Sequence, residues 1–303
     1  MVMPLRPWPI PPKAPDGGLL IHHVSDTHIG YRPWSYDESN HLLRDINEGL
    51  VPLPDVMVVT GDIIDGIDVP YEDAYAKAFL DAAGESRGVP GLWCVGNHDL
   101  RTRSPNTRVA WEATYGRPGN TYLDVNGWRI VTFTVDQHDW NAPWVVPAAT
   151  WAWLDSVAAS APGPVILADH FPPQELGGLT DIDYLKPPAE LAELVSAHPN
   201  VIGMLAGHTH WDPADTRSAA MISLGSRTNF PVLTDVSAML TLPTGLSRDQ
   251  SAQVPSVSAY VTVTEDLWEV RYRHHGPHAW SGPGGQRVTR LDLAAGTETR
   301  SMG

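Results

Sequence analysis

Five short stretches carry side chains able to bind cations or move protons. They are Asp26-Thr27-His28, Gly61-Asp62-Ile63-Ile64-Asp65, Gly96-Asn97-His98-Asp99, Asp169-His170-Phe171-Pro172 and Gly207-His208-Thr209-His210. The candidate metal ligands among them are Asp26, His28, Asp62, Asn97, His170, His208 and His210, a mixed nitrogen and oxygen set without thiolate. Such a shell suits Mn, Fe, Zn or Co and not a soft copper site. Seven donors are too many for one tetrahedral ion. They suit two ions about 3.5–4 Å apart that share a carboxylate, an arrangement used for phosphoryl chemistry. Asp26 with His28, and His208 with His210, stand two residues apart, so an extended backbone directs each pair to one side. Glycines at 61, 96 and 207 permit tight turns beside a metal.

The spacing says which elements must position these residues. His28 to Asp62 is 34 residues, Asp62 to Asn97 is 35, and His170 to His208 is 38. One strand-helix-strand unit takes about 30 residues or more. Each stretch is therefore expected at the carboxyl end of one of a series of parallel strands, where α/β sheets place ligands. Apolar runs predict strands at 19–24, 55–60, 91–95, 165–168 and 201–206, and helical patterns fall at 36–50, 71–83, 106–115, 148–159 and 188–197. The gap from 97 to 170 holds the helix at 106–115 and a hairpin, 122–125 with 128–135, turned at Asn126-Gly127. The stretches 219–224, 258–264 and 268–273 are expected to form strands of a second sheet. Strand-helix alternation of this kind argues for α/β layers.

Taken in order, the five stretches resemble the signature blocks of the calcineurin-like metallophosphoesterase superfamily, over roughly residues 19 to 275. The resemblance implies a four-layer α/β/β/α sandwich with a dinuclear metal site at strand carboxyl ends. Matched block by block, it implies one ion on Asp26, His28, Asp62 and His210, and a second on Asp62, Asn97, His170 and His208. Asp62 would bridge them, and His98 would face the leaving group as the catalytic residue. The implied mechanism is in-line attack on phosphorus by a metal-bridging hydroxide, with two divalent or mixed-valence ions. The compact length and the Gly-Asn-His-Asp and His-x-Pro blocks resemble the class III cyclic-nucleotide phosphodiesterase and glycerophosphodiesterase branch. Many of those relatives carry His-His-Pro-Pro in the fourth block, where this chain has Phe171.

The expected function is thus a metal-dependent phosphoric ester hydrolase, with a phosphodiesterase acting on small or nucleotide-type esters favoured. A phosphomonoesterase or nucleotide pyrophosphatase on the same scaffold is the alternative. A non-catalytic interaction scaffold ranks below both, because the ligands and His98 are all present.

Other polar residues carry open readings. Asp65 and Asp99 could each orient a neighbouring histidine as a carboxylate behind the ligands, or cap the following turn. His22 and His23 read as structural, and Cys94 as a buried filler. His274, His275 and His278 read as a surface patch. Trp93, Trp128, Trp151 and Trp153 are expected in the core. Trp34, Trp140, Trp144 and Trp211, with Tyr31, Arg32, His138 and Asn229, either line the cleft or pack the sheets.

Composition bounds the partners. The 303 residues include 42% hydrophobic and 18% charged, a globular balance. Formal net charge is −15, which disfavours nucleic acid as a partner, because affinity for phosphate backbones rests on basic side chains. The one cysteine excludes an internal disulfide framework. No apolar run approaches the roughly 18 residues of a membrane span. The expected setting is cytoplasmic, and the expected partner is a small-molecule phosphate ester; oligomeric state is not encoded in these patterns. Residues 1–18, with prolines at 4, 7, 9, 11, 12 and 15, are expected to form an extended arm and not a secretory signal. The metallophosphoesterase domain is expected over 19–275, and residues 276–303 as a Gly- and Pro-containing tail.

Overall fold

The computed structural model describes residues 17–30, 33–66, 69–101, 107–136, 144–173, 185–186, 188–210, 219–233, 257–275 and 287–302. In chain order these form β1 (Leu19–Val24), α1 (Pro33–Asn47), β2 (Val56–Val59), α2 (Val69–Ala83), β3 (Gly91–Trp93), α3 (Asn97–Arg101) and α4 (Arg108–Tyr115). There follow β4 (Thr121–Val125), β5 (Trp128–Thr132), β6 (Trp144–Val145), α5 (Ala148–Ala159), β7 (Val165–Ala168), β8 (Leu185–Lys186), α6 (Pro188–Ala197) and β9 (Val201–Leu205). The remainder is β10 (Ala219–Leu224), β11 (Arg227–Leu233), β12 (Val257–Val263), β13 (Leu267–His274), β14 (Arg287–Asp292) and β15 (Thr297–Met302).

Two large sheets result. One has seven strands in the order β15-β14-β13-β12-β1-β2-β3, the other six in the order β10-β11-β9-β7-β5-β4. Strands β1, β2 and β3 are mutually parallel, as are β5, β7, β9 and β11. Each central strand is apolar on both faces, as a sheet covered on both sides requires. Alternation divides those faces. Leu19, Ile21, Val56, Val58 and Leu92 turn toward the other sheet and share a core with Ile130, Ile166, Ala168 and Leu205. Leu20, Val24, Met57 and Val59 face outward and share a core with Leu42 and Ile46 of α1 and with Ala76, Phe79 and Leu80 of α2. On the far side Val131, Leu167 and Met204 are in the cluster that takes Leu154 and Val157 of α5 and Leu191 and Val195 of α6. The architecture is the expected α/β/β/α sandwich.

The local signals act as chemistry dictates. Thr107 caps α4, its hydroxyl accepting from Ala110 N at 3.3 Å, and Gly116 ends the helix in the left-handed region. Asn126 and Gly127 both adopt positive φ, 51° and 84°, as a two-residue hairpin turn needs.

Four expectations are corrected. The late strands do not form a sheet of their own: β12 pairs antiparallel with β1, while β10 and β11 extend the sheet of β9. The proposed C-terminal tail contributes a hairpin, since β14 pairs with β13 and β15 with β14. β11, which contains Pro231, and the short helix α3 carry no element in the sequence reading. His275 is not on the surface; it is fully buried. Its Nδ1 donates to the Asp45 carboxylate at 2.9 Å, and its Nε2 meets Ser258 Oγ at 2.9 Å. Arg273 Nε also donates to Asp45, at 2.6 Å, and His22 Nε2 lies 2.8 Å from the same serine. This buried network fastens α1 to β1, β12 and β13. His278, and residues 1–16 of the arm, lie outside the described residues.

Candidate metal centre

The five chemical stretches leave the carboxyl ends of β1, β2 and β3 in one sheet and of β7 and β9 in the other. The loops are stitched together by main-chain bonds. Asp26 N donates to Gly61 O at 3.0 Å, His28 N to Asp62 O at 3.0 Å, and Gly207 N to His170 O at 2.7 Å. Close approach depends on glycine: a Cβ at Gly96 would collide with the Asp62 amide and carboxylate. One at Gly61, whose φ is +88°, would come within 2.7 Å of the Gly96 backbone.

Backbone strain concentrates here. Six described non-glycine residues have positive φ, and five of them are Asp26, His28, Asp62, His208 and His210. The left-handed region costs such residues about 1–3 kcal/mol each and persists where surrounding structure over-determines it, commonly at functional sites. All five are candidate ligands.

Among the described residues three groups of donors converge, of which two share Asp62 and the third joins His28, Asp65 and His98. In the first, atoms of Asp26, His28, Asp62 and His210 all lie within 4.8 Å of one another. His210 Nε2 is 2.9 Å from Asp26 Oδ1 and 3.2 Å from His28 Nε2. The second set is Asp62, His170 and His208. His170 Nε2 lies 3.4 Å from Asp62 Oδ2 and 2.9 Å from Asn97 Oδ1, which brings Asn97 to the same point. Asp62 belongs to both sets. The carboxylates, imidazoles and amide suit a borderline first-row dication, so the donor chemistry fits a pair of such ions. Asp26, His28, Asp62 and His170 are buried, whereas His208 and His210 are partly exposed, which leaves the pair open on one side.

The electrostatics match a site built for cations. Burial disfavours a charged His28, but hydrogen bonds to Asp26 and Asp65 and the charges of Asp62 and Asp26 overcome it and raise its pKa to about 10. His170 rises to about 9 against its burial, through the Asp62 and Asp26 charges and bonds to Asp62 and the Thr60 carbonyl. Asp62 and Asp26 move down despite full burial, because histidines surround them.

The carboxylates behind the candidate ligands divide their work. Asp65 Oδ1 lies 3.2 Å from His28 Nδ1 and 3.2 Å from His98 Nδ1, so Asp65 orients two histidines. Asp99 takes main-chain amides instead: Ile63 N at 2.9 Å, Ile64 N at 3.2 Å and Gly96 N at 2.9 Å. It ties the loop of Asp62 to the loop of Asn97. His98 keeps about a fifth of its side chain exposed and packs edge-on to His28, with ring centroids 4.5 Å apart. Its backbone amide donates to Asp62 Oδ1 at 2.7 Å.

The remaining expectations fall as follows. His22 and His23 are buried and bonded to Ser258 and Thr60, hence structural. Cys94 is a buried free thiol whose pKa burial pushes up. Trp93, Trp128 and Trp151 are buried, and Trp153 packs against the core. Trp144 is also buried, with its ring on Phe171, and so takes the packing role. Asn229 reaches Leu293 O at 3.2 Å. Tyr31, Arg32, His138, Trp140 and Trp211, and the side chain of Trp34, lie outside the described residues. Sequence reasoning missed the Thr60 carbonyl, which no residue type marks, and assigned Asp169 no role of its own although it opens the fourth stretch.

Comparison with known proteins agrees with this geometry. The Calcineurin-like phosphoesterase family matches residues 19–212. A protein of Rhodococcus erythropolis described as a probable cyclic nucleotide phosphodiesterase is 30% identical over 223 residues, covering 69% of this chain and 70% of that one. A cAMP/cGMP dual specificity phosphodiesterase of Mycobacterium tuberculosis is 27% identical over 230 residues, 71% of this chain and 69% of its own. Among solved structures, a dimetal phosphatase from Danio rerio superposes with a TM-score of 0.63 at 14% identity, over 91% of this chain and 99% of that one, a likeness of fold. The matched segment holds every one of the convergent residues, and on that ground the chain belongs to the calcineurin-like phosphoesterases and is a metal-dependent phosphoester hydrolase.

Proposed function

We propose that the chain is a dinuclear phosphodiesterase acting on small, nucleotide-type phosphodiesters. In this reading Asp26, His28, Asp62 and His210 hold one ion, and Asp62, Asn97, His170 and His208 hold the second. The observation that carries it is the membership of Asp62 in both donor sets. Two cations a few ångströms apart repel strongly, and an anionic oxygen between them offsets that repulsion. When bound, the ions would supply a nucleophile at neutral pH and neutralise charge on the phosphoryl oxygens. Manganese, iron, zinc and cobalt all suit the donors.

The chain's own residues do the positioning. Asp65 and the Thr60 carbonyl fix the tautomers of His28 and His170. His98, turned by Asp65, is assigned to the departing oxygen, which it protonates or hydrogen-bonds. The preference for diesters follows the names of the Rhodococcus erythropolis and Mycobacterium tuberculosis relatives, and a charge of −15 argues against long polyanions as substrates. We place this activity in the cytoplasm, with Cys94 as a free thiol. No described helix is long and apolar enough to cross a membrane.

Hydrolysis of bis-p-nitrophenyl phosphate with added Mn²⁺ tests the reading, alongside a panel of cyclic nucleotides, glycerophosphodiesters, dinucleotides and monoesters. Faster turnover of diesters than of p-nitrophenyl phosphate is expected. The reverse order would replace the diesterase with a monoesterase on the same scaffold.

A further inference from the structure

Residue 171 stands directly after the ligand candidate His170, yet it bears on a different ligand. The Phe171 ring stacks on His208, with centroids 4.1 Å apart and planes within 28°. On its other side Phe171 stacks on Trp144, at 4.4 Å and 22°. The column is anchored at its far end, because Trp144 Nε1 donates to Asp169 Oδ2 at 3.2 Å. Phe171 and Trp144 are each only 2% exposed, while His208 sits at the partly open rim. The same phenyl ring also meets His170 edge-on, at 5.1 Å and 82°.

We infer that the Asp169–Trp144–Phe171 column is a positioning device for His208, setting the ring plane of that ligand for the second ion. The inference rests on the proposed role of His208. The His208 imidazole, on a residue with φ 72° at the rim, has the Phe171 face stacked on it and the His170 ring edge-on at 5.1 Å. His28 is restrained by the Asp65 carboxylate and His170 by the Thr60 carbonyl. For His208 a flat aromatic face limits ring rotation, and the indole bond to Asp169 keeps that face from sliding. Offset stacking of this kind favours one relative orientation of the rings. Phe171 is therefore a positioning residue and makes no contact with a reacting group.

The test is calorimetric titration of the metal-stripped protein with Mn²⁺, read as ions bound per chain and affinity of each step. Wild type is expected to bind two. Phe171→Leu keeps apolar volume but removes the aromatic face, and should weaken one of the two steps, the one that fills the His208 site, roughly tenfold, the scale seen when groups supporting a ligand are lost. The other step should stay within twofold, and Phe171→Tyr, which keeps the face, should restore the weakened one. Trp144→Phe retains a ring but loses the bond to Asp169, and should show a smaller loss confined to the same step. It also serves if Phe171→Leu does not fold. Equal weakening of both steps, or none in either variant, overturns the column's role while leaving the two-ion site intact. A wild type that binds fewer than two ions overturns the site and the column together.

Discussion

His170 and Thr60 join the two sheets at the metal centre. The imidazole Nδ1 of His170, beyond the end of β7, donates to the carbonyl of Thr60, beyond the end of β2, at 2.7 Å. A carbonyl can only accept, so the bond keeps a proton on Nδ1 and turns Nε2 toward Asp62 and Asn97. A candidate ligand from one sheet is thereby aimed at a carboxylate from the other, and the site exists only where both sheets are in register.

The proposed bridging role of Asp62 would separate it from Asp65. Asp62→Ala should lose both ions and nearly all turnover, since its carboxylate enters both donor sets. Asp65→Ala removes the partner of His28 and His98, and losses of that kind are about 10–100-fold. Metal content by elemental analysis and kcat on bis-p-nitrophenyl phosphate check the pair; equal losses would contradict the bridge.

Asp99 should matter for stability more than for chemistry. Its buried carboxylate accepts three main-chain amides, so Asp99→Ala leaves three donors without that acceptor. Each such loss costs about 1–3 kcal/mol. Chemical denaturation should show a drop of about 3 kcal/mol or more, with the metal-free and metal-loaded forms both affected. A drop under about 1 kcal/mol would show that the loops hold together without it.

The histidine pKa values predict how the metal-free chain responds to pH. His28 near 10 and His170 near 9 stand above their ordinary 6.5. Raised groups stabilise the fold in full below about 6.5, and that contribution is lost as pH climbs through 9 and 10. The depressed Asp26, Asp62 and Asp65 act in the opposite sense, their contribution present above the ordinary carboxylate range and lost in acid. The melting temperature of stripped protein should therefore fall from pH 6.5 to 10, while Mn²⁺ affinity rises over that window as competing protons leave. A flat melting temperature there would contradict the protonated cluster.

Much of this was legible in the sequence, and the rest was not for identifiable reasons. β1, α5, β7, α6 and β10 stand where their apolar runs end in Gly, Pro or polar turns. β11 was hidden by Pro231, which within Arg227–Leu233 argues against a paired strand. β14 and β15, rich in Arg, Thr and Glu, lack the apolar alternation that marks a strand. Which strands share a sheet depends on pairing across 200 residues and more, as in Leu19 with Val263, and local pattern does not encode it. The candidate ligands stood out because five stretches of Asp, Asn and His, three of them opening on glycine, follow the predicted strands in turn. The different tasks of Asp65 and Asp99 did not, since they turn on where imidazoles and main-chain amides lie in space. Trp144 lies on a strand of two residues, too short to leave a pattern.

His98 should reveal itself through the leaving group. A positioned acid contributes about 10²–10⁴-fold, and most where the departing oxygen is basic. His98→Ala should suffer most on alkyl or ribose esters and much less on p-nitrophenyl esters, with metal content near wild type. Equal loss on both ester types would assign His98 to orienting the phosphoryl group instead.

The most direct measurement of the central claim is turnover of bis-p-nitrophenyl phosphate by the stripped protein as Mn²⁺ is added back in known equivalents. The nucleophile at neutral pH depends on bound metal, and the shared carboxylate of Asp62 couples two donor sets. Activity should therefore be absent at zero equivalents, stay low while one ion per chain is bound, and reach its plateau as the second binds. Full activity in the rigorously stripped protein, or a plateau at one ion, would contradict a dinuclear phosphodiesterase.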